Sequence, residues 1–176
     1  MSYEKHMWVN NVDSVDEDKM NHIENGIFNN SIDIINLKNR NAITAGLDGN
    51  ITISTTGENI IALNMVKTQI GSGFTISDGK VYVGEGISYV LVTGTIYTNR
   101  GTSAGTACNS LVKKNGTIIT TSTNSVTAGK SNHTVTAPLK LEPVSQGDYF
   151  ELGYYGYSGD IVSSYLGTSL TLIALK

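Results

Sequence analysis

Cysteine occurs once in this chain of 176 residues, proline twice, and charged residues make up only 15%; each shortage closes off a class of explanation. The lone Cys108 leaves no intramolecular disulfide framework and no multi-cysteine zinc site, and it reads as a small buried hydrophobe. A formal net charge of -3 offers no basic surface to neutralise a run of phosphates, so nothing points to a nucleic-acid partner. No window approaches the roughly 18 apolar residues that a membrane span needs. The opening "MSYEKHMWVNNVDSVDEDK" has no basic start followed by an apolar run, so the chain is expected to be made in the cytoplasm, to stay soluble and not to insert into a membrane. The Asn-X-Ser/Thr triplets at Asn29, Asn50, Asn115 and Asn132 then read as polar surface.

Catalytic machinery is equally sparse. His6, His22 and His133 are isolated, and none has the i, i+4 spacing of a helix-borne metal site. Cys108 and His133 lack the glycine elbow or oxyanion-forming helix start that a nucleophile and base would use. The acidic residues Asp78, Glu85, Glu142, Asp148, Glu151 and Asp160 lie mostly in turns, which gives no pair at the spacing of glycoside cleavage. "GSGFTISDG" is not followed by a helix and so is no phosphate loop. The expectation is a protein that is not an enzyme, with no metal and no cofactor.

What is present begins with a helix. Ser14-Val15-Asp16-Glu17 forms a capping box, and nothing breaks the helical pattern from there to about Asn39. Met20, Ile23, Ile27, Asn30, Ile34 and Leu37 fall on alternating a and d positions of a heptad, a short coiled-coil seam with Asn30 as its polar member. Lys19 and Asp33 at g, with Glu24 and Lys38 at the following e, give pairs of opposite sign between neighbouring helices. Gly26 costs about 1 kcal/mol of helix propensity and permits close backbone approach. A second stripe, Phe28, Ile32 and Ile35, lies away from the seam and needs a further partner.

Beyond the helix the period changes from helical to alternating. Residues 41–65, with the turn signal Asp48-Gly49, read as short strands or a shaft linking the helix to a head over 66–176. In the head, strand-like runs such as "SYVLVTGTIYT" and "DYFELGYYGY" are separated by turns rich in Gly, Asn and Ser, which predicts an antiparallel sandwich or jelly roll. Asn115-Gly116 is the strongest hairpin signal. Neither face of "SYVLVTGTIYT" is strongly polar, so that strand is expected to be covered on both sides. The fold class is therefore mainly β: helical stalk over 1–40, short β linker over 41–65, and jelly-roll head over 66–176.

Two resemblances sharpen this. The turn "VSQGD", the strand "YFELGYYGY", a glycine-rich loop and the final strand "SYLGTSLTLIAL" resemble the complement and tumour-necrosis-factor-like jelly roll, which implies a homotrimer, often above a coiled or fibrous stalk. Trp8 and Val9, followed by Met20, Asn21, Ile23, Glu24, Gly26 and Ile27, resemble the opening of tail-fibre and baseplate proteins of phages infecting Gram-positive bacteria; the proline often found between the two elements is absent. This implies a structural protein on the virion surface, its helix docked on other virion proteins through Trp8, Phe28, Ile32 and Ile35, and its head facing a host-surface glycan. Arg100, Tyr157 and Asp160 are the glycan-contact candidates, within a cluster that holds five of the nine tyrosines between Tyr149 and Tyr165. The same tyrosines also suit a subunit contact or core. A capsid decoration protein or head fibre is the alternative within the virion, and a secreted bacterial jelly-roll adhesin the alternative outside it.

Overall fold

The computed structural model describes residues 17–38, 40–99, 107–125, 132–164 and 167–175. Glu17–Lys38 form helix α1; Glu, Lys, Met and Leu favour it near its two ends, while its middle is rich in Asn and Ile of only middling propensity and holds Gly26 as its weakest point. The chain divides into two compact units between Arg40 and Asn41.

The second unit is all strand among its described residues. In chain order these are β1 (Ala42–Gly46), β2 (Ile51–Thr52), β3 (Gly57–Ile61), β4 (Met65–Ile70), β5 (Phe74–Ser77), β6 (Lys80–Val83), β7 (Tyr89–Asn99), β8 (Ala107–Lys114), β9 (Thr117–Ser125), β10 (Asn132–Thr136), β11 (Lys140–Pro143), β12 (Tyr149–Gly156), β13 (Ile161–Val162) and β14 (Ser169–Leu175). They form two antiparallel sheets. One has eight strands in the order β2-β13-β7-β14-β1-β4, with β10 and β11 also on β7; the other has six, in the order β5-β6-β12-β8-β9, with β3 also on β12.

Between the sheets, Ile43, Val90, Val92, Leu170 and Leu172 from the eight-stranded sheet meet Phe74, Val81, Val112, Phe150, Leu152 and Tyr154 from the six-stranded one. These residues alternate along their strands with outward ones, as a half-buried pleat requires. At the middle of β7 the alternation places Gly94 on the inner face, where an added Cβ would lie 2.6 Å from Leu152 Cδ1 and 2.8 Å from Val112 Cγ2. Glycine there lets the opposite sheet's side chains reach the β7 backbone. Hairpins follow the left-handed pairs that two-residue loops demand. Asn115 and Gly116 have φ of 49° and 79° between β8 and β9, and Asp78 and Gly79 have 50° and 76° between β5 and β6.

The reading of residues 41–65 as a linker or shaft is corrected. β1 lies between β14 and β4 inside the larger sheet, and β3 pairs with β12 in the other. Ile43, Ala45, Leu47, Ile53, Ile61 and Leu63 are buried in the common core. The head therefore begins at Asn41. Cys108 is fully buried and forms no disulfide, as a small core hydrophobe should.

Candidate interaction surfaces

Helix α1 leaves Ile23, Ile27, Phe28, Ile32 and Ile34 exposed. Of the seam positions, Ile23, Ile27 and Ile34 are 52%, 44% and 52% exposed, Asn30 is exposed and Met20 half-buried. On the second stripe Phe28 and Ile32 are exposed. The side chains of Leu37 and Ile35, and all of Trp8 and Arg100, lie outside the described residues.

The structure moves one glycan candidate out of reach. Asp160 is fully buried: its Oδ2 accepts from the Tyr154 hydroxyl at 2.8 Å and from the Tyr157 backbone N–H at 2.9 Å. The turn that carries it is stitched to residues 53–56, with the Ile53 N–H on the Asp160 carbonyl and the Ser158 hydroxyl on the Ser54 carbonyl. A carboxylate at this depth holds the turn in place and cannot fix a sugar hydroxyl, which corrects the sequence reading of Asp160 as a surface charge. Tyr157 is half-buried beside it. The other tyrosines divide: Tyr154 is core, Tyr155 is exposed, and Tyr149 packs against Tyr82 with Lys80 above its ring at 4.2 Å.

The sequence reading missed a surface that only strand register brings together. On the outer side of the eight-stranded sheet, Leu141, Leu91, Ile173, Ala42 and Ile70 stand opposite one another in a single row across β11, β7, β14, β1 and β4. The adjacent row is Pro143, Tyr89 and Leu175. On the other side comes a row of threonines, Thr93, Thr171, Thr44 and Thr68, with the Thr44 and Thr171 hydroxyls 3.1 Å apart. Leu141, Ile173, Ile70 and Tyr89 are each more than two-fifths exposed. The signal was present as the unpolar second face of "SYVLVTGTIYT", but the rest of the row is remote in sequence: from Leu91, Leu141 and Ile173 lie 50 and 82 residues ahead, and Ala42 and Ile70 lie 49 and 21 residues behind.

An ionic clamp ties the β8–β9 turn and the turn before β12 to strand β11. Lys114 lies 3.1 Å from Asp148 and 3.9 Å from Glu142, Lys140 lies 3.2 Å from Glu142, and the Asn115 amide donates to Asp148 at 2.7 Å. Burial works against the charge of Asp148. The Asn115 amide, the Ser145 backbone N–H and Lys114 outweigh it and hold the carboxyl below its ordinary value. Its folded state therefore binds a proton less readily than the unfolded chain, so the stabilisation is complete above the unfolded value near 4 and is lost as pH falls through the lowered folded one. Thermal melts between pH 5 and 2 should fall less steeply for Asp148→Asn than for the wild type; equal slopes would remove Asp148 from the acid response.

Elsewhere, an open hollow lined by Leu47, Asp48, Met65, Lys67 and Ser164 has its polar groups engaged: Asp48 accepts from Asn64, and Lys67 donates to the Thr168 carbonyl. Among the described residues there is no group of three His, Cys, Asp or Glu side chains placed to hold a metal ion, and no helix long and apolar enough to cross a membrane.

No protein-family model and no curated protein matches the chain in sequence. Solved structures do match it in fold. Murine APRIL at pH 5.0 superposes with a TM-score of 0.62 at 12% identity, covering 77% of this chain and 99% of its own. Eiger TNF from S. frugiperda superposes with a TM-score of 0.60 at 10% identity, covering 78% and 92%. At such identities the likeness is one of fold, and the second unit is a jelly roll of the tumour-necrosis-factor type.

Proposed function

We propose that this chain is a non-enzymatic structural protein of a phage virion: a trimeric fibre held on the particle by its N-terminal helix, with the jelly-roll head displayed outward to meet the host surface. The observation that carries the reading is α1 itself. The Met-Asn-X-Ile-Glu-X-Gly-Ile pattern resembling phage fibre proteins falls within one continuous helix, and that helix exposes Ile23, Ile27 and Ile34 on the seam and Phe28 and Ile32 off it. A helix that is apolar on two sides is stable in water only when both are covered. Three copies joined at the seam cover one side, and a neighbouring virion protein covers the other. The jelly-roll fold supports the trimer, because the resemblance read from the sequence implies that state.

Deletion of residues 1–40 tests the attachment. Particles assembled with the truncated chain should lack it, while the truncated chain itself keeps the far-ultraviolet circular dichroism of a β protein. Particles decorated at the normal level by folded truncated heads would remove the helix as the anchor, and with it this reading.

A further inference from the structure

We infer that Asn115 is a site of spontaneous covalent modification, deamidation through its own backbone, and that the hydrogen bonds bracketing its side chain are what hold the reaction back in the folded head.

The reactive pair is in the sequence. Ring closure needs an asparagine followed by a backbone nitrogen that nothing shields, and glycine, without a Cβ, leaves that nitrogen most open. Asn-Gly occurs twice in the chain, at 25–26 inside α1 and at 115–116. A helix engages its backbone nitrogens in its own ladder, whereas Asn115 and Gly116 are both exposed at the tip of the β8–β9 hairpin. The Gly116 nitrogen attacks Asn115 Cγ, the bond from Cγ to Nδ2 breaks, and Nδ2 leaves as ammonia with the proton that the Gly116 nitrogen gives up. Water then opens the cyclic imide, at Cγ to give aspartate or at the main-chain carbonyl carbon to give isoaspartate. In sum, carboxamide and water become carboxylic acid and ammonia.

Folding restrains the first step. Both ends of the Asn115 carboxamide are engaged: Nδ2 donates to Asp148 Oδ1 at 2.7 Å, and Oδ1 accepts from the Tyr149 backbone N–H at 3.0 Å. The Asn115 backbone N–H donates in turn to the Tyr149 carbonyl at 3.0 Å. Asp148 cannot follow a turning side chain, because its Oδ2 is held by the Ser145 N–H at 2.9 Å and by Lys114 at 3.1 Å. Swinging Cγ onto the Gly116 nitrogen therefore breaks two hydrogen bonds, one of them to a carboxylate, which makes the reactive rotamer rarer by about 10-fold or more. Only the hairpin tip has to open for this, not the sandwich.

The product undoes the bracket that delayed it. Aspartate at 115 puts an oxygen where Nδ2 donated, so two carboxylates face each other across the former hydrogen bond, with Lys114 the cation beside them. Isoaspartate in addition reroutes the backbone through the two positions whose left-handed φ values, 49° and 79°, make the hairpin.

Peptide mapping by mass spectrometry of the full chain, incubated at mildly alkaline pH and 37 °C, follows aspartate and isoaspartate at 115. The chain in denaturant should be modified about 10-fold or more faster than the folded wild type. Asp148→Ala, which removes the acceptor of Nδ2, should recover most of that difference while its circular dichroism stays that of a β protein. Leu152→Ala weakens the core away from the bracket and should leave the rate at 115 within a few-fold of wild type. Asn115→Asp, the product itself, should shift the folding equilibrium toward the unfolded chain by about 10-fold. No modification at 115 in denaturant overturns the site. A folded wild type that reacts as fast as the denatured chain, or an Asp148→Ala chain that reacts as slowly as wild type, overturns the restraint. So does Leu152→Ala reacting as fast as Asp148→Ala, since the reaction would then run through global unfolding. An Asn115→Asp chain as stable as wild type overturns the consequence drawn for the product.

Discussion

Leu152→Ala should lower the unfolding free energy by about 3 kcal/mol, in the usual range for a fully buried leucine whose cavity the surroundings only partly refill. Leu152 is 0% exposed, lies on β12 between β8 and β3, and reaches across the sandwich to the β7 backbone at Gly94. The close approach gives a sharper test than the single substitution. Gly94→Ala introduces a Cβ 2.6 Å from Leu152 Cδ1 and 2.8 Å from Val112 Cγ2, which should cost about 1–2 kcal/mol of overpacking, slightly offset by the lower entropy of the unfolded chain. In the double variant the new methyl enters space that the leucine vacated. The combined loss should therefore be about 1 kcal/mol smaller than the sum, while the Val112 methyl keeps some of the strain. Denaturant unfolding at one fixed protein concentration measures all three, since the proposed self-association would make the midpoint concentration-dependent. Strict additivity would mean that Leu152 and Gly94 do not share the space described.

The same contact shows how far a sequence can be read. Local signals carried well: the helix over Glu17–Lys38, the Asn115-Gly116 hairpin, the buried Cys108 and the alternation of β7 are all set by residues within a few positions of each other. Long-range pairing did not. β1 looked like a linker because its partners, Ile173 opposite Ala42 and Ile70 on the other side, are 131 and 28 residues away, and no periodicity within residues 42–46 announces a central strand. The apolar row on the outer face was invisible for the same reason. Each member is an ordinary exposed hydrophobe, and only the register places them side by side. Gly94 could be seen on the inner face of its strand, but nothing in the sequence named Leu152 as the side chain above it.

Asp160→Ala should be about as damaging, at roughly 3 kcal/mol, and for an electrostatic reason. Asp160 sat in "YSGDIVSS", which reads as a loop tip, and Gly159 does take a left-handed φ of 89° there. That turn directs the carboxylate inward, where it receives the Tyr154 hydroxyl and the Tyr157 backbone N–H. Alanine removes the acceptor from two donors, one of them on a fully buried tyrosine, and bonds to a charged group contribute about 1.5–3 kcal/mol each before relaxation. Asp160→Asn, which keeps an acceptor oxygen, should lose less. Tyr154 adds a signature at alkaline pH. Burial, above all, and the charge of Asp160 push its phenol well above the ordinary value of 10, against the opposite pull of a hydrogen bond from Thr98. The folded chain keeps this proton where the unfolded chain releases it, so stability is full below pH 10 and declines as pH rises beyond it. Tyr154→Phe should be less stable than wild type at pH 7 but should lose less on going from pH 9 to 11. Thermal melts at both pH values compare the slopes, and a Phe variant that declines as steeply as wild type would show that Tyr154 is not what the alkaline loss reports.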